Sequence, residues 1–200
     1  KYIEKARART DIATVTTNCN HGGICVFFRN IFRVKIITLP DYKCMEVLAL
    51  SVSSSVLTTA LIAVYRPGSI AVTKLFFDEF ADVLERFASF NNFIMVGDVN
   101  IHIDCLASTT TQQFQSLLDS FGLADYIHQP THLLHHQLDV FITRCDYKPP
   151  PVIRVDPPMM SDHSLLTATY RIATSRAPVV CRPRVRRRKW RSLNVDNFTA

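Results

Sequence analysis

The stretch "FIMVGDVNIHID", Phe93 to Asp104, decides how the rest of this 200-residue chain is read. Four apolar residues run into Gly97, as in a buried strand. Asp98, Asn100, His102 and Asp104 then take alternate positions. A carboxylate at the mouth of an apolar strand costs free energy unless a cation or a donor compensates it. The same cost recurs at Asp139, between Leu138 and Val140 in "QLDVFIT", and at Asp162 beside His163 in "MMSDHSLL". Several such costs at strand ends imply one shared site. Asp and Asn oxygens with no thiolate beside them suit a hard ion, Mg²⁺ or Mn²⁺, which binds through one or two carboxylates, waters and a phosphate. The chemistry this implies is metal-assisted attack of water on a phosphate ester.

The chain is 48% hydrophobic, enough for one sizeable core. Its longest nearly apolar run, Val56 to Tyr65, is far shorter than the roughly 20 residues that cross a bilayer, so no membrane partner is expected. It opens on Lys1 without a signal-like region, and its true beginning is expected to lie upstream. The six cysteines lie far apart and are read as reduced intracellular thiols. "THLLHHQLD" brings His132, His135 and His136 together, but no second ligand pair sits at zinc-site spacing, so the run is not read as a zinc site. Charge is uneven: "RPRVRRRKWR", Arg182 to Arg191, carries six Arg and one Lys against no acid, more than the whole surplus of +6. It reads either as a solvated linker or as a phosphate-binding strap of Arg186, Arg187, Arg188 and Lys189, with Trp190 placed to stack on a base.

Strands are expected at Gly22 to Asn30, Met45 to Val52, Val56 to Tyr65, Phe93 to Gly97, Gln137 to Thr143, Val152 to Val155 and Ser164 to Arg171. Leu75, Phe76, Phe80, Val83, Leu84 and Phe87 recur at helical spacing, with Asp78, Glu79, Asp82 and Glu85 opposite. Phe114, Leu117, Leu118 and Phe121 mark a second helix, closed by Gly122 in the left-handed conformation. Strands that pair as hairpins and also connect through helices point to a layered α/β (α+β) fold with mixed sheets rather than a doubly wound parallel one. Residues 1–173 are read as the domain, and 174–200 as a basic linker with the start of a following region.

In order, "AVYRPGS", "FIMVGDVNIHID", "QPTHLLHHQLDVFITR" and "SDHSLL" resemble the endonuclease/exonuclease/phosphatase superfamily. Within it the likeness is to the apurinic-type endonuclease domain of non-LTR (LINE-type) retrotransposons, with "GGICVFFRN" similar to that family's Gly-Gly strand. The resemblance runs from about Gly22 to Arg171, and the basic tail looks like the linker toward a reverse transcriptase. It implies a sandwich of two mixed β-sheets flanked by helices and a Mg²⁺-dependent nuclease that nicks DNA, acting inside the cell and at least transiently in the nucleus. It also implies roles: Asp98 orients or deprotonates the water and borders the metal, and Asn100 holds the scissile phosphate. Asp162 touches the metal directly or through water. His163, oriented by Asp139, contacts the phosphate, Tyr65 donates to it, and Thr131 and Ser161 are supporting donors.

One departure stands out. Family members carry an Asn strand and a strand ending in a metal-binding Glu well before the Gly-Gly strand, and nothing in residues 1–21 supplies either. Glu4 and Asp11, in "KYIEKARARTD", lack the apolar strand and the spacing. The expectation is a domain without its first strands and principal metal ligand, impaired as a nuclease. The alternatives are an inactive relic that binds nucleic acid through its tail and, less favoured, a phosphoinositide-type phosphatase.

Overall fold

A computed structural model of the chain describes residues 1–5, 23–54 and 57–171. The elements run β1 (Tyr2–Lys5), β2 (Ile24–Phe27), β3 (Arg33–Ile37), β4 (Glu46–Ser53), β5 (Thr58–Tyr65), α1 (Lys74–Arg86), β6 (Phe93–Asp98), α2 (Thr109–Ser120), β7 (Leu123–Asp125), β8 (Asp139–Arg144), β9 (Val152–Asp156) and β10 (Leu165–Thr169). Every expected strand and both helices form. Three further strands, β1, β3 and β7, are not expected from the sequence. The basic run with Arg186, Arg187, Arg188, Lys189 and Trp190 lies outside the described residues, as do Asp11, Cys19 and Cys181.

Six strands form one mixed sheet in the order β3-β4-β5-β6-β8-β7. β5 and β6 are its parallel pair, with α1 between them in the chain; the other neighbours are antiparallel. One face is dry. Val47, Ala49, Ala60, Ile62, Val64, Met95, Val140 and Ile142 project from it into a core shared with Phe76, Phe80 and Leu84 of α1 and Phe114 and Leu118 of α2. The Phe80 and Phe114 rings, 5.2 Å apart, join the two helices. Leucine and phenylalanine burial on this scale is the main driving force for the layer.

The opposite face carries the alternate residues, as the two-residue period of a strand requires. Two antiparallel pairs lie against it. β1-β2 reaches Glu46 of β4 through the Gly23 N–H, which donates to Glu46 Oε2 at 2.8 Å. β9-β10 runs on to Tyr170, whose hydroxyl is 3.2 Å from Thr143 Oγ1 and whose ring neighbours Phe141. The result is the layered arrangement expected: among the described residues one layer is a mixed six-stranded sheet and the other is two antiparallel pairs in place of a second mixed sheet. Leu61, Ile94 and Val96 on this face are only half-buried.

Two glycines are required. Gly122 closes α2 at φ +62°, as its spacing predicts. Gly97 sits at φ +140°, where a Cβ would stand 1.9 Å from the Val64 carbonyl oxygen of the neighbouring strand. No side chain fits there, so the apolar run in β6 must end on glycine just before Asp98.

Candidate active site

The polar strand ends meet because the sheet places them in register. Glu46, Tyr65, Asp98 and Asp139 are successive Cα partners across β4, β5, β6 and β8. All four lie on the face away from the helices, since their neighbours Val47, Val64 and Val140 belong to the helical core. Asp139 Oδ2 shares a 2.8 Å hydrogen bond with His163 Nδ1, and His163 Nε2 is 3.9 Å from Asp98 Oδ2. Asp162, the next residue back, has its Oδ2 3.3 Å from His132 Nε2. His132 and His163 form a β-bridge and approach edge to face, with ring centroids 5.0 Å apart. His132, Asp162 and His163 each offer a ligand atom within 4.8 Å of the others. Asp98, Asp139, Asp162 and His163 therefore converge on one site, although they are up to 65 positions apart in the chain.

Asp98 is fixed by its neighbours. Its Oδ1 accepts the Asn100 backbone N–H at 2.8 Å and its Oδ2 accepts the Asn100 side-chain amide at 2.7 Å. Asn100 is able to fold back because it adopts φ +49°, a left-handed conformation that Asn tolerates better than most residues. Its amide also donates to the Arg66 carbonyl at 2.8 Å. A Cβ on Gly68 would meet Asn100 Oδ1 at 2.9 Å, so the glycine leaves room for this side chain.

Burial pushes Asp98 up to about 6; the Asn100 N–H opposes the shift, the Asp139 charge adds to it, and His163 and Arg66 oppose it. A carboxylate with that proton affinity is suited to take a proton from water near neutral pH. For His163, burial works downward, but the Asp139 hydrogen bond and the charges of Asp139, Asp98 and Asp162 outweigh it and raise its pKa above the ordinary value. The imidazole is thereby biased toward the cation, the form that attracts a phosphate. Asp162 is held below the usual carboxylate range, chiefly by the His132 hydrogen bond.

The supporting donors divide. Thr131 is fully buried, and its Oγ1 accepts the backbone N–H groups of Leu138 and Asp139 at 3.0 and 3.1 Å. It stands behind the site and holds the start of β8, not where a phosphate would reach it. Ser161 is exposed, and its hydroxyl bonds the backbone of His163 at 3.2 Å on both N–H and carbonyl, shaping the turn that presents Asp162 and His163. Tyr65 is half-buried at its place in the row. His102, in the Asn-x-His run, stacks on His136 away from this group.

Two residues were missed. Arg66 is buried, and its guanidinium donates to the carbonyls of Val99, Pro67, Ile70 and Asn100, tying the segment after β5 to the one after β6. Its signal lay in "YRP", where only the tyrosine was given a role. Glu46 is 6% exposed, and among the described residues its buried Oε1 has no hydrogen-bond partner. An acid heading the apolar strand "MEVLALSV" carries the same cost that singled out Asp139, and on that ground it was legible.

The site offers the donor type that a hard divalent cation takes. Asp98, Asp162 and the orphaned Glu46 oxygen are all oxygen donors, and a buried carboxylate oxygen with no donor against it calls for a cation or bound water.

No protein-family profile matches the chain, and no curated protein matches it in sequence. Among solved structures it is similar to the endonuclease domain of TRAS1, a telomere-specific non-LTR retrotransposon, with a TM-score of 0.64 at 14% identity, covering 86% of this chain and 80% of that one. Weaker likenesses are to the human Nocturnin catalytic domain with bound sulfate, with a TM-score of 0.49 at 16% identity over 84% of this chain and 73% of that one. The beta toxin of Staphylococcus aureus gives 0.43 at 14% over 62% and 57%. The last two are too distant to add to the first. What the chain shares with the TRAS1 domain is its fold, the layered α/β arrangement that the sequence resemblance implied.

Proposed function

We propose that this chain carries the phosphodiester-hydrolysing site of a retrotransposon-type DNA endonuclease. The observation that supports it best is the convergence of Asp98, Asp139 and His163, with 2.8 and 3.9 Å separations, at the end of the row Glu46, Tyr65, Asp98, Asp139. Asp98 takes the proton of the attacking water. Asn100, locked to Asp98, positions that carboxylate and borders the scissile phosphate. His163, oriented by Asp139, meets the charge that builds on the phosphate oxygens. Glu46, Asp98 and Asp162 would hold Mg²⁺ or Mn²⁺, which when bound supplies Lewis-acid neutralisation of that charge. The basic run Arg182 to Arg191 grips DNA by its phosphates, with little reading of base sequence. A reverse transcriptase in the same parent polyprotein is the natural partner of such a nick.

Residues 1–200 alone are expected to cut slowly. Both Asp98 oxygens are occupied by Asn100, Asp162 is 66% exposed, and Glu46 has one oxygen held by Gly23. The test is nicking of supercoiled plasmid with Mg²⁺. Slow nicking that stops with chelator, and in Asp98→Ala and His163→Ala, supports the proposal; nicking that survives Asp98→Ala overturns it. The second reading is an inactive relic, favoured by the exposed Asp162 and the charge of the tail. Salt-sensitive DNA binding without any cut, lost when Arg184 to Arg191 are neutralised, selects it.

A further inference from the structure

Behind the candidate active site, two segments distant in sequence bring a thiol and two imidazoles together. His102 and Cys105 lie on one turn, closed by the Cys105 N–H donating to the His102 carbonyl at 3.0 Å. The fully buried Thr111 anchors that turn, its hydroxyl donating to the same carbonyl at 2.9 Å. His136 arrives from the segment leading into β8, and its ring stacks on His102 with centroids 3.9 Å apart and planes 17° from parallel. His102, Cys105 and His136 each offer a ligand atom within 4.8 Å of the other two.

We propose that His102, Cys105 and His136 bind a borderline-soft divalent metal ion, Zn²⁺ foremost, at a site separate from the oxygen-lined one. Tetrahedral zinc at about 2.0 Å from nitrogen and 2.3 Å from sulfur needs these ligand atoms roughly 3.3 to 3.5 Å apart. To share one ion the two imidazoles turn out of their parallel stack, so that each ring plane meets the metal, and solvent takes the fourth position beside the exposed His102. One thiolate with two imidazoles selects zinc-like ions over Mg²⁺.

Two further observations support a metal there. Asp104 Oδ2 lies 3.0 Å from His136 Nδ1, the carboxylate partner that orients a ligating imidazole and leaves its Nε2 free. The frame is also rigid without metal. Backbone N–H groups of Val99 and Ile103 donate to Leu138 and Gln137 at 3.0 Å each, and Asp104 Oδ1 accepts the Gln137 N–H at 2.9 Å. The ligands therefore sit on two segments already laced together, one following Asp98 and Asn100, the other preceding Asp139. Bound metal staples the two walls of the candidate active site from outside. The spacing of "THLLHHQLD" concealed this, because the partners of His136 come from 31 and 34 residues earlier, not from its own run.

The site stands whether or not the nuclease reading does, and its test needs no activity. The reduced full chain is titrated with Co²⁺ and read by absorbance. The expected result is a single tight equivalent with tetrahedral ligand-field bands and a thiolate-to-cobalt charge-transfer band, both displaced by Zn²⁺. Cys105→Ser and Cys105→Ala lose the charge-transfer band, and His102→Gln and His136→Gln weaken binding at least about tenfold. His132→Gln, in the other histidine group, changes none of this. Circular dichroism and a thermal transition on each variant verify folding, and two cysteine replacements guard against one that misfolds. A charge-transfer band that persists in both Cys105 variants, or disappears in His132→Gln, overturns the assignment, as does the absence of any band in the folded wild type.

Discussion

His163 faces two carboxylates from opposite edges of its ring, with Nδ1 2.8 Å from Asp139 Oδ2 and Nε2 on the side of Asp98, 3.9 Å away. In the proposed reaction Asp139 acts through His163, not on the substrate. Asp139→Asn keeps the shape but removes the charge that biases the imidazole toward its cation. The expected outcome is a nicking rate lower by about 10- to 100-fold and a lower His163 pKa, read by NMR titration of its ring protons. An unchanged His163 titration counts against the pairing even if activity falls.

Glu46 is expected to reveal itself through cation linkage. An orphaned buried carboxylate oxygen is a cost to the metal-free fold. Glu46→Gln therefore leaves the metal-free melting temperature equal or higher, and loses most of the upward shift that millimolar Mg²⁺ gives the wild type. Equal Mg²⁺ shifts in both proteins would remove Glu46 from the cation site.

Arg66 holds four carbonyls with one planar fork, a geometry that lysine cannot copy. Arg66→Lys leaves several of these buried acceptors unpaired. A loss of roughly 2 to 4 kcal/mol is expected in urea unfolding. Because Asn100 hangs on the same segment, nicking falls beyond what the unfolded fraction explains.

Asp125 sits half-buried at the end of β7, and burial raises it from 3.8 to about 6 despite N–H donation from Phe141 and Ile127 and the Gln137 amide. A carboxyl with a higher pKa folded than unfolded binds its proton more tightly in the fold. Its cost to stability is therefore largest at neutral pH and is relieved as pH falls from about 6 toward 4, by at most roughly 3 kcal/mol. Asp125→Asn, with Gln137 turned to present its oxygen, is expected to be as stable as wild type or more so at pH 7. The difference should vanish near pH 4, as measured by denaturant midpoints across that range; a difference that grows on acidification refutes this assignment.

Much of the fold was legible because its strands and helices carry one period each. β5, β6 and β8 are dense in β-branched and aromatic residues, α1 shows its apolar stripe, and Gly122 marks the end of α2. β1, β3 and β7 were missed for the opposite reason. They are short, and "RVKII" in β3 has two charges among five residues, so what makes them strands is a neighbour's free edge more than their own composition.

The sequence alone determined that carboxylates stood at the ends of buried strands, since the cost of placing charge beside apolar residues depends only on near neighbours along the chain. It likewise determined which histidine followed Asp162. Tertiary structure decided what those groups do together. Register across the sheet put Glu46 beside Tyr65, Thr131 came to stand behind the site, and the lacing of two segments set the His136 ring on His102 while its carbonyl accepts the His132 N–H. Side-chain chemistry is written locally, whereas its convergence depends on strand order and hydrogen-bond register, which no single stretch of chain contains.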